Sequence, residues 1–213
     1  MQFTGFPVAA LDFYDDLEVE PTKQFWEANK HVYKEAVREP MTALMKALEA
    51  QFGAAKIFRP HRDVRFAKNR SPYKTHQGAF VGVPEVGAVG WYFEISPRGT
   101  RVGGGFYDAN SARLAAVREA MVDEEYGAEL QALLDGYRAD GWEVSGEQLK
   151  TAPRGYDKQH PRIALLRHKQ LYVGRPYGFE SDALDADLVE RVRADWEALR
   201  PLVTWLTTRP RQH

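Results

Sequence analysis

From Lys56 to Tyr107 the apolar residues recur with period two, whereas on both sides of that block they recur at every third or fourth position. Period two belongs to strands and a period near 3.6 to helices, so this chain keeps its strands together and its helices apart from them. Helices, then a run of strands, then helices imply an α+β fold: a largely antiparallel central sheet with helices from both ends of the chain packed on it. Strands that do not alternate with helices argue against a Rossmann-type sheet. At 213 residues the chain suits a single globular domain, 1–213, long enough to bury a substantial core.

Local signals set the expected elements. Pro7 to Leu17 reads as a short helix, and a longer one begins at Pro21 and runs through Trp26, Tyr33 and Val37. Pro40 is expected to interrupt it and to start a new helix through Met41, Leu44 and Leu48 that ends at Gly53. Trp91 to Ser96 and Thr100 to Tyr107 flank a short turn at 97–99 and should pair as a hairpin. Gly103, Gly104 and Gly105 fall inside the second of these strands, which marks a bulge or a place where another group comes close to the backbone, and the bulge is the preferred reading. Asp108 or Asn110 can cap a helical pair over 111–122 and 125–138, closed by Gly141. A loop-rich stretch holds a short helix near Pro161 and a strand near 171–174, and the chain ends in a long helix over 182–207.

Hydrophobic residues at 44%, charged residues at 28% and a formal net charge of -1 describe an ordinary globular protein. The absence of cysteine removes disulfides, thiolate nucleophiles and cysteine-based metal sites together. The first twenty residues carry acids where a signal peptide would be basic, and no run approaches the roughly 20 apolar residues of a membrane span, so a cytoplasmic location is expected and no membrane contact.

The near-neutral total hides one strong local imbalance. Over 59–74 there are six basic side chains, Arg59, Arg62, Arg65, Lys68, Arg70 and Lys74, against one acid, Asp63. Such a cluster creates a potential that attracts anions. Guanidinium forks grip a phosphate or carboxylate through parallel hydrogen bonds, with Asp63 orienting one of them. Two other readings stand beside this one: an ion-pair network that pins the segment to the fold, where breaking a buried pair costs about 3–5 kcal/mol, and a plain solvated basic face. Downstream, alternation aligns Lys74 and His76 with Phe80, and Tyr73 and Gln77 with Val81, so the polar half should emerge from the packed sheet at a pocket mouth. There His76 suits a general base, an anion donor or a surface histidine.

The stretch RPHRDVRFAKNRSPY, 59–73, resembles the RxxRDxRFxxxKxxY signature of an uncharacterised, mainly bacterial family, domain of unknown function 2461. FTGFP near the start, VGGGFYD in the middle, LKTAPRGYDKQHP and VGRP extend the resemblance over nearly the whole chain. Arg70 stands where the signature has lysine, which keeps the charge but removes a titratable amine. The resemblance implies no activity, because the family has none to carry over.

A second polar group surrounds Asp157 and His160, with Lys150, Arg154, Lys158 and Arg162 nearby. Asp157 can orient the imidazole, or both can simply shape the start of the helix at Pro161; the second reading is preferred. If the two basic segments converge, Arg65 and His160 should share a side of the molecule. No metal or other cofactor is expected: the six histidines form no HxH or HExxH pair, and cations surround Asp63. The glycines match neither nucleotide-binding fingerprint, and no GxSxG elbow is present.

The leading expectation is therefore a basic pocket for a phosphate- or carboxylate-bearing small molecule, lined by Arg59, Arg62, Arg65, Lys68, Arg70, Tyr73 and Lys74. The pattern suits a binding protein or an enzyme, and in an enzyme Asp63, His76 or His160 would be the candidates for proton transfer. The rivals are a nucleic-acid or protein interaction surface that uses Phe66 and Tyr73 as stacking platforms, and a purely structural arginine network.

Overall fold

The computed structural model describes residues 2–62, 71–84, 86, 88–107, 109–178 and 184–210. Its helices and a six-stranded antiparallel sheet confirm the α+β class. The strands are β1 (Lys56–Ile57), β2 (Gln77–Gly82), β3 (Val89–Ser96), β4 (Gly99–Phe106), β5 (Glu143–Ser145) and β6 (Leu171–Gly178), in the order β1-β2-β3-β4-β6-β5. β3 and β4 form the expected hairpin around Pro97 and Arg98. β5 was not expected; it pairs with β6 through Glu143↔Gly174 and Val144↔Val173. Among the described residues no helix is long and apolar enough to cross a membrane.

Contacts group the chain into two compact units. The first comprises Met1–Val81, Tyr92–Val102 and Pro176–Ala194. It holds helices α1 (Ala9–Val19), α2 (Lys23–Val32) and α3 (Glu39–Phe52). Thr22 caps α2 by accepting from the Phe25 amide at 3.0 Å, so Pro21 precedes the helix and does not begin it. The expected break before Pro40 is also corrected. α2 passes without interruption into a π-helical segment, Tyr33–Arg38, and then into α3, with Pro40 in its first turn. Proline lacks an amide hydrogen and its ring crowds the carbonyl four residues back; a wide turn at that point accommodates both. Gly53 ends α3 at φ 100°, a conformation that favours glycine.

The core of this unit is aromatic. Phe13 meets Phe25, Trp26 and Tyr33 at ring-centroid distances of 6.0, 5.9 and 5.9 Å, and Phe6 stacks on Phe93. Edge and offset contacts of this kind add about 0.5–1.5 kcal/mol each beyond the area they bury.

The second unit comprises Gly82–Trp91, Gly103–Arg175 and Asp195–His213. Asn110 caps α4 (Ser111–Val122) through the Arg113 amide, and Asp123 caps α5 (Glu124–Ala139) through the amides of Glu125 and Tyr126. The short helix α6 spans Ile163–Leu166. The long C-terminal helix α7, Leu188–Thr208, contributes its second half here, where Trp196 accepts the Trp91 indole N–H at 2.9 Å. Its expected start near Asp182 lies outside the described residues. β4 runs unbroken where a bulge was preferred, and close approach accounts for two of its glycines: a side chain at Gly103 would meet the Val173 carbonyl at 3.1 Å, and Gly105, at φ 145°, has the Leu171 carbonyl where a Cβ would be.

Candidate functional site

The backbone around the basic segment is fixed by two short stretches of antiparallel pairing. β1 meets β2 in the register Lys56↔Phe80 and Ile57↔Ala79, and the Phe58 amide donates to Gly78 at 3.0 Å. Pairing resumes further out at a His61↔Tyr73 bridge, where Arg62 N–H donates to Pro72 and Lys74 N–H to Pro60, each at 2.8 Å. Between the two stretches Thr75 and His76 form a bend, so β2 begins only at Gln77. A break in a ladder re-aims side chains, and here it governs the direction of His76.

On the packed side, Gln77 is 1% exposed and every polar atom of its amide is used. Its Nε2 donates to Phe58 O at 2.8 Å and Gly78 O at 2.9 Å, while its Oε1 accepts the Tyr33 hydroxyl at 2.7 Å. The amide thereby bolts the bend to the π-helical segment. Tyr73 also turns inward. It is 5% exposed and stacks on Trp26 at 4.6 Å with rings 11° apart, while His61 packs against both rings. The placement of Tyr73 beside a ligand, or as a stacking platform for bases, is corrected: its ring belongs to the core.

On the other side, cations collect. Lys74 Nζ sits 5.2 Å from the centre of the Phe58 ring and Lys56 Nζ 5.9 Å from it. Partial burial, and after it the charges of Arg59, Arg62 and Lys56, hold the Lys74 ammonium below the ordinary lysine pKa. Among the described residues Lys56, Arg59, Arg62 and Lys74 make no ion pair. Lys56, Arg59 and Arg62 are exposed, Lys74 and His76 half-buried.

β3 supplies two further groups, Tyr92 and Glu94, of which Glu94 was not expected at the site. Glu94 Oε2 lies 4.0 Å from His76 Nε2 and accepts the Tyr92 hydroxyl at 2.6 Å. Gly78 makes room for that phenol, since a Cβ there would meet the Tyr92 oxygen at 2.6 Å. The His76 pKa is lowered, first by burial, with Lys74 and Arg62 adding to the shift and Glu94 opposing it. Alternation alone puts Tyr92 and Glu94 on one face of a strand. Which strand runs beside them is set by pairing, which periodicity does not reveal.

Asp63, Arg65, Phe66, Lys68 and Arg70 lie outside the described residues, so the expected orientation of an arginine by Asp63 and the Arg65 criterion for convergence with His160 concern positions with no described geometry. The second segment is described by itself. Asp157 accepts from the Gln159 amide at 2.9 Å and among the described residues makes no bond to an imidazole, and His160 Nδ1 accepts from the Arg162 amide at 3.0 Å. Arg162 reaches the carbonyls of Met121, Val122 and Asp123 at 2.8, 3.0 and 2.9 Å, closing the end of α4. These bonds lie at the start of α6 and the end of α4. A surface groove of about 450 Å³ along α5 and α7, with Glu129, Arg200 and Trp205 among its walls, and one of about 290 Å³ beside α3, with Thr42, Met45 and Ile57, are lined by none of Arg59, Arg62, Tyr73, Lys74 or His76.

No curated protein and no solved structure matches the chain significantly. A family described as "Conserved hypothetical protein (DUF2461)" matches residues 9–205. With that match covering nearly all of its 213 residues, the chain belongs to the DUF2461 family of conserved hypothetical proteins.

Proposed function

We propose that the protein binds a small molecule bearing a phosphate or carboxylate at the face formed by Lys56, Arg59, Arg62, Lys74 and His76. The observation that carries this reading is the concentration of like charge: Lys56, Arg59, Arg62 and Lys74 make no ion pair among the described residues, and the charges of the other three add to partial burial in lowering the Lys74 pKa. A bound anion would neutralise this cluster through charge-assisted hydrogen bonds. The exposure of Lys56, Arg59 and Arg62 favours a second reading, contact with the phosphate backbone of a nucleic acid. The burial of Tyr73 weakens it by removing a base-stacking platform.

Thermal unfolding of the purified protein with phosphorylated metabolites, carboxylates and short oligonucleotides, each at two salt concentrations, distinguishes the readings. A ligand at 100 times its Kd adds about 2.7 kcal/mol. At about 2–4 °C per kcal/mol for a chain of this size, this is a shift of roughly 5–10 °C. A selective small-anion shift that survives salt supports the first reading, a salt-sensitive oligonucleotide shift alone supports the second, and no shift with any of them refutes both.

A further inference from the structure

His76 stands between charges of opposite sign. The positive charges of Lys74 and Arg62 act on it, and Glu94 lies 4.0 Å from its Nε2. The Tyr92 hydroxyl holds the same Glu94 oxygen at 2.6 Å, so that carboxylate is positioned before any ligand arrives. The His76 side chain is 34% exposed and that of Glu94 19%, which leaves the imidazole in contact with solvent while screening its partner. Lys56 and Arg59 act on the same group of charges through Lys74.

In the free protein the partial burial of the ring, with the repulsion of Lys74 and Arg62 added to it and Glu94 opposing, favours neutral imidazole. An anion among the cations cancels that repulsion. The anion and Glu94 then act together on the ring, and a protonated His76 would pair with Glu94 as an imidazolium. How far the balance tips depends on the ligand's charge. A phosphate monoester carries close to two negative charges near neutral pH, whereas a carboxylate or a phosphodiester carries one.

We propose that this site takes the dianionic phosphoryl group of a small molecule, and that the group binds together with a proton taken up by His76. This rests on the anion-site reading above and narrows it from phosphate or carboxylate to phosphate monoester. A singly charged ligand neutralises less of the cluster and draws less proton; a nucleic-acid backbone, made of diesters, falls in that class.

The test uses inorganic sulfate, which remains a dianion from pH 5 to 8 and has no ionisation of its own there. Titration calorimetry at pH 6.5 in two buffers of different ionisation enthalpy counts the protons. The expected result is net uptake approaching one proton per sulfate, with affinity rising as pH falls from 7.5 to 5.5 by at most about tenfold per pH unit. His76→Gln should still bind sulfate, with uptake lost and affinity flat across that range; its melting curve checks that it folds. Dimethyl phosphate, a singly charged diester, should bind more weakly and with less uptake. Sulfate binding without uptake, or uptake that persists in the variant and so belongs to Lys74, overturns the proton-linked site while leaving the anion site standing. Dimethyl phosphate matching sulfate in affinity and uptake overturns the dianion class. If the wild-type protein binds neither sulfate nor inorganic phosphate, the anion site falls and this inference with it.

Discussion

Replacing Gln77 with leucine preserves much of the buried volume but deletes three hydrogen bonds, and the structure indicates which loss dominates. The Gly78 carbonyl keeps the Phe58 amide at 3.0 Å, and Phe58 O keeps the Arg38 guanidinium at 3.4 Å, so neither acceptor is abandoned. The Tyr33 hydroxyl, whose pKa burial already raises, keeps Arg38 but loses the acceptor of its proton. An unsatisfied buried donor costs about 1–3 kcal/mol and each lost bond a net of about 0.5–1.5 kcal/mol, which puts Gln77→Leu at roughly 3 kcal/mol. Tyr33→Phe alone strands Gln77 Oε1 and should cost about 1–2 kcal/mol. In the double variant neither group is stranded, so it should be more stable than the sum of the single losses by about 1–2 kcal/mol. Urea unfolding of the four proteins measures each term from the midpoint and slope. Strict additivity, within about 0.5 kcal/mol, would refute the claim that this bond couples the bend to the π-helical segment.

Two further perturbations test other parts of the structure. Because the Lys74 pKa is lowered in the folded state, the unfolded chain binds more protons between that lowered value and the ordinary lysine pKa, and stability should rise with pH across that window. Lys74→Met keeps the packing on Phe58, so it should flatten that alkaline rise and raise the melting temperature at pH 7 while weakening anion binding; an unchanged alkaline limb in melting curves would count against the charge cluster. Arg162→Met removes the guanidinium that closes α4 on three carbonyls, and a loss of about 2 kcal/mol should lower the melting temperature by roughly 4–8 °C. If Arg162 instead served a ligand site, its loss would leave melting unchanged and alter only binding.

The fold class was legible because period-two and helical residues occupy separate blocks, and the caps at Asn110 and Gly53 stand where side-chain chemistry requires them. The π-helical segment was not, because one extra residue in a helical turn leaves the local apolar pattern almost unchanged. β5 escaped notice because three partly exposed residues carry too short an alternation to read. At the site, the run of cations was visible in the sequence, but its chemistry depends on neighbours brought by pairing. Tyr73 looked like a ligand contact until Trp26, 47 positions earlier, proved to cover it, and Glu94 becomes relevant only because β3 brings it to within 4.0 Å of His76.

The π-helical segment also sets a rule for how this chain can change in length. A single-residue deletion within Tyr33–Arg38 would close the wide turn that accommodates Pro40. It would also rotate everything before it by roughly 100° relative to α3, because each residue of an α-helix advances about that angle. Trp26 would swing off Tyr73, and the strand pair that displays the cations would lose its backing. Natural variants that carry the basic segment should therefore tolerate substitutions along this helix far more readily than a change of one in its residue count.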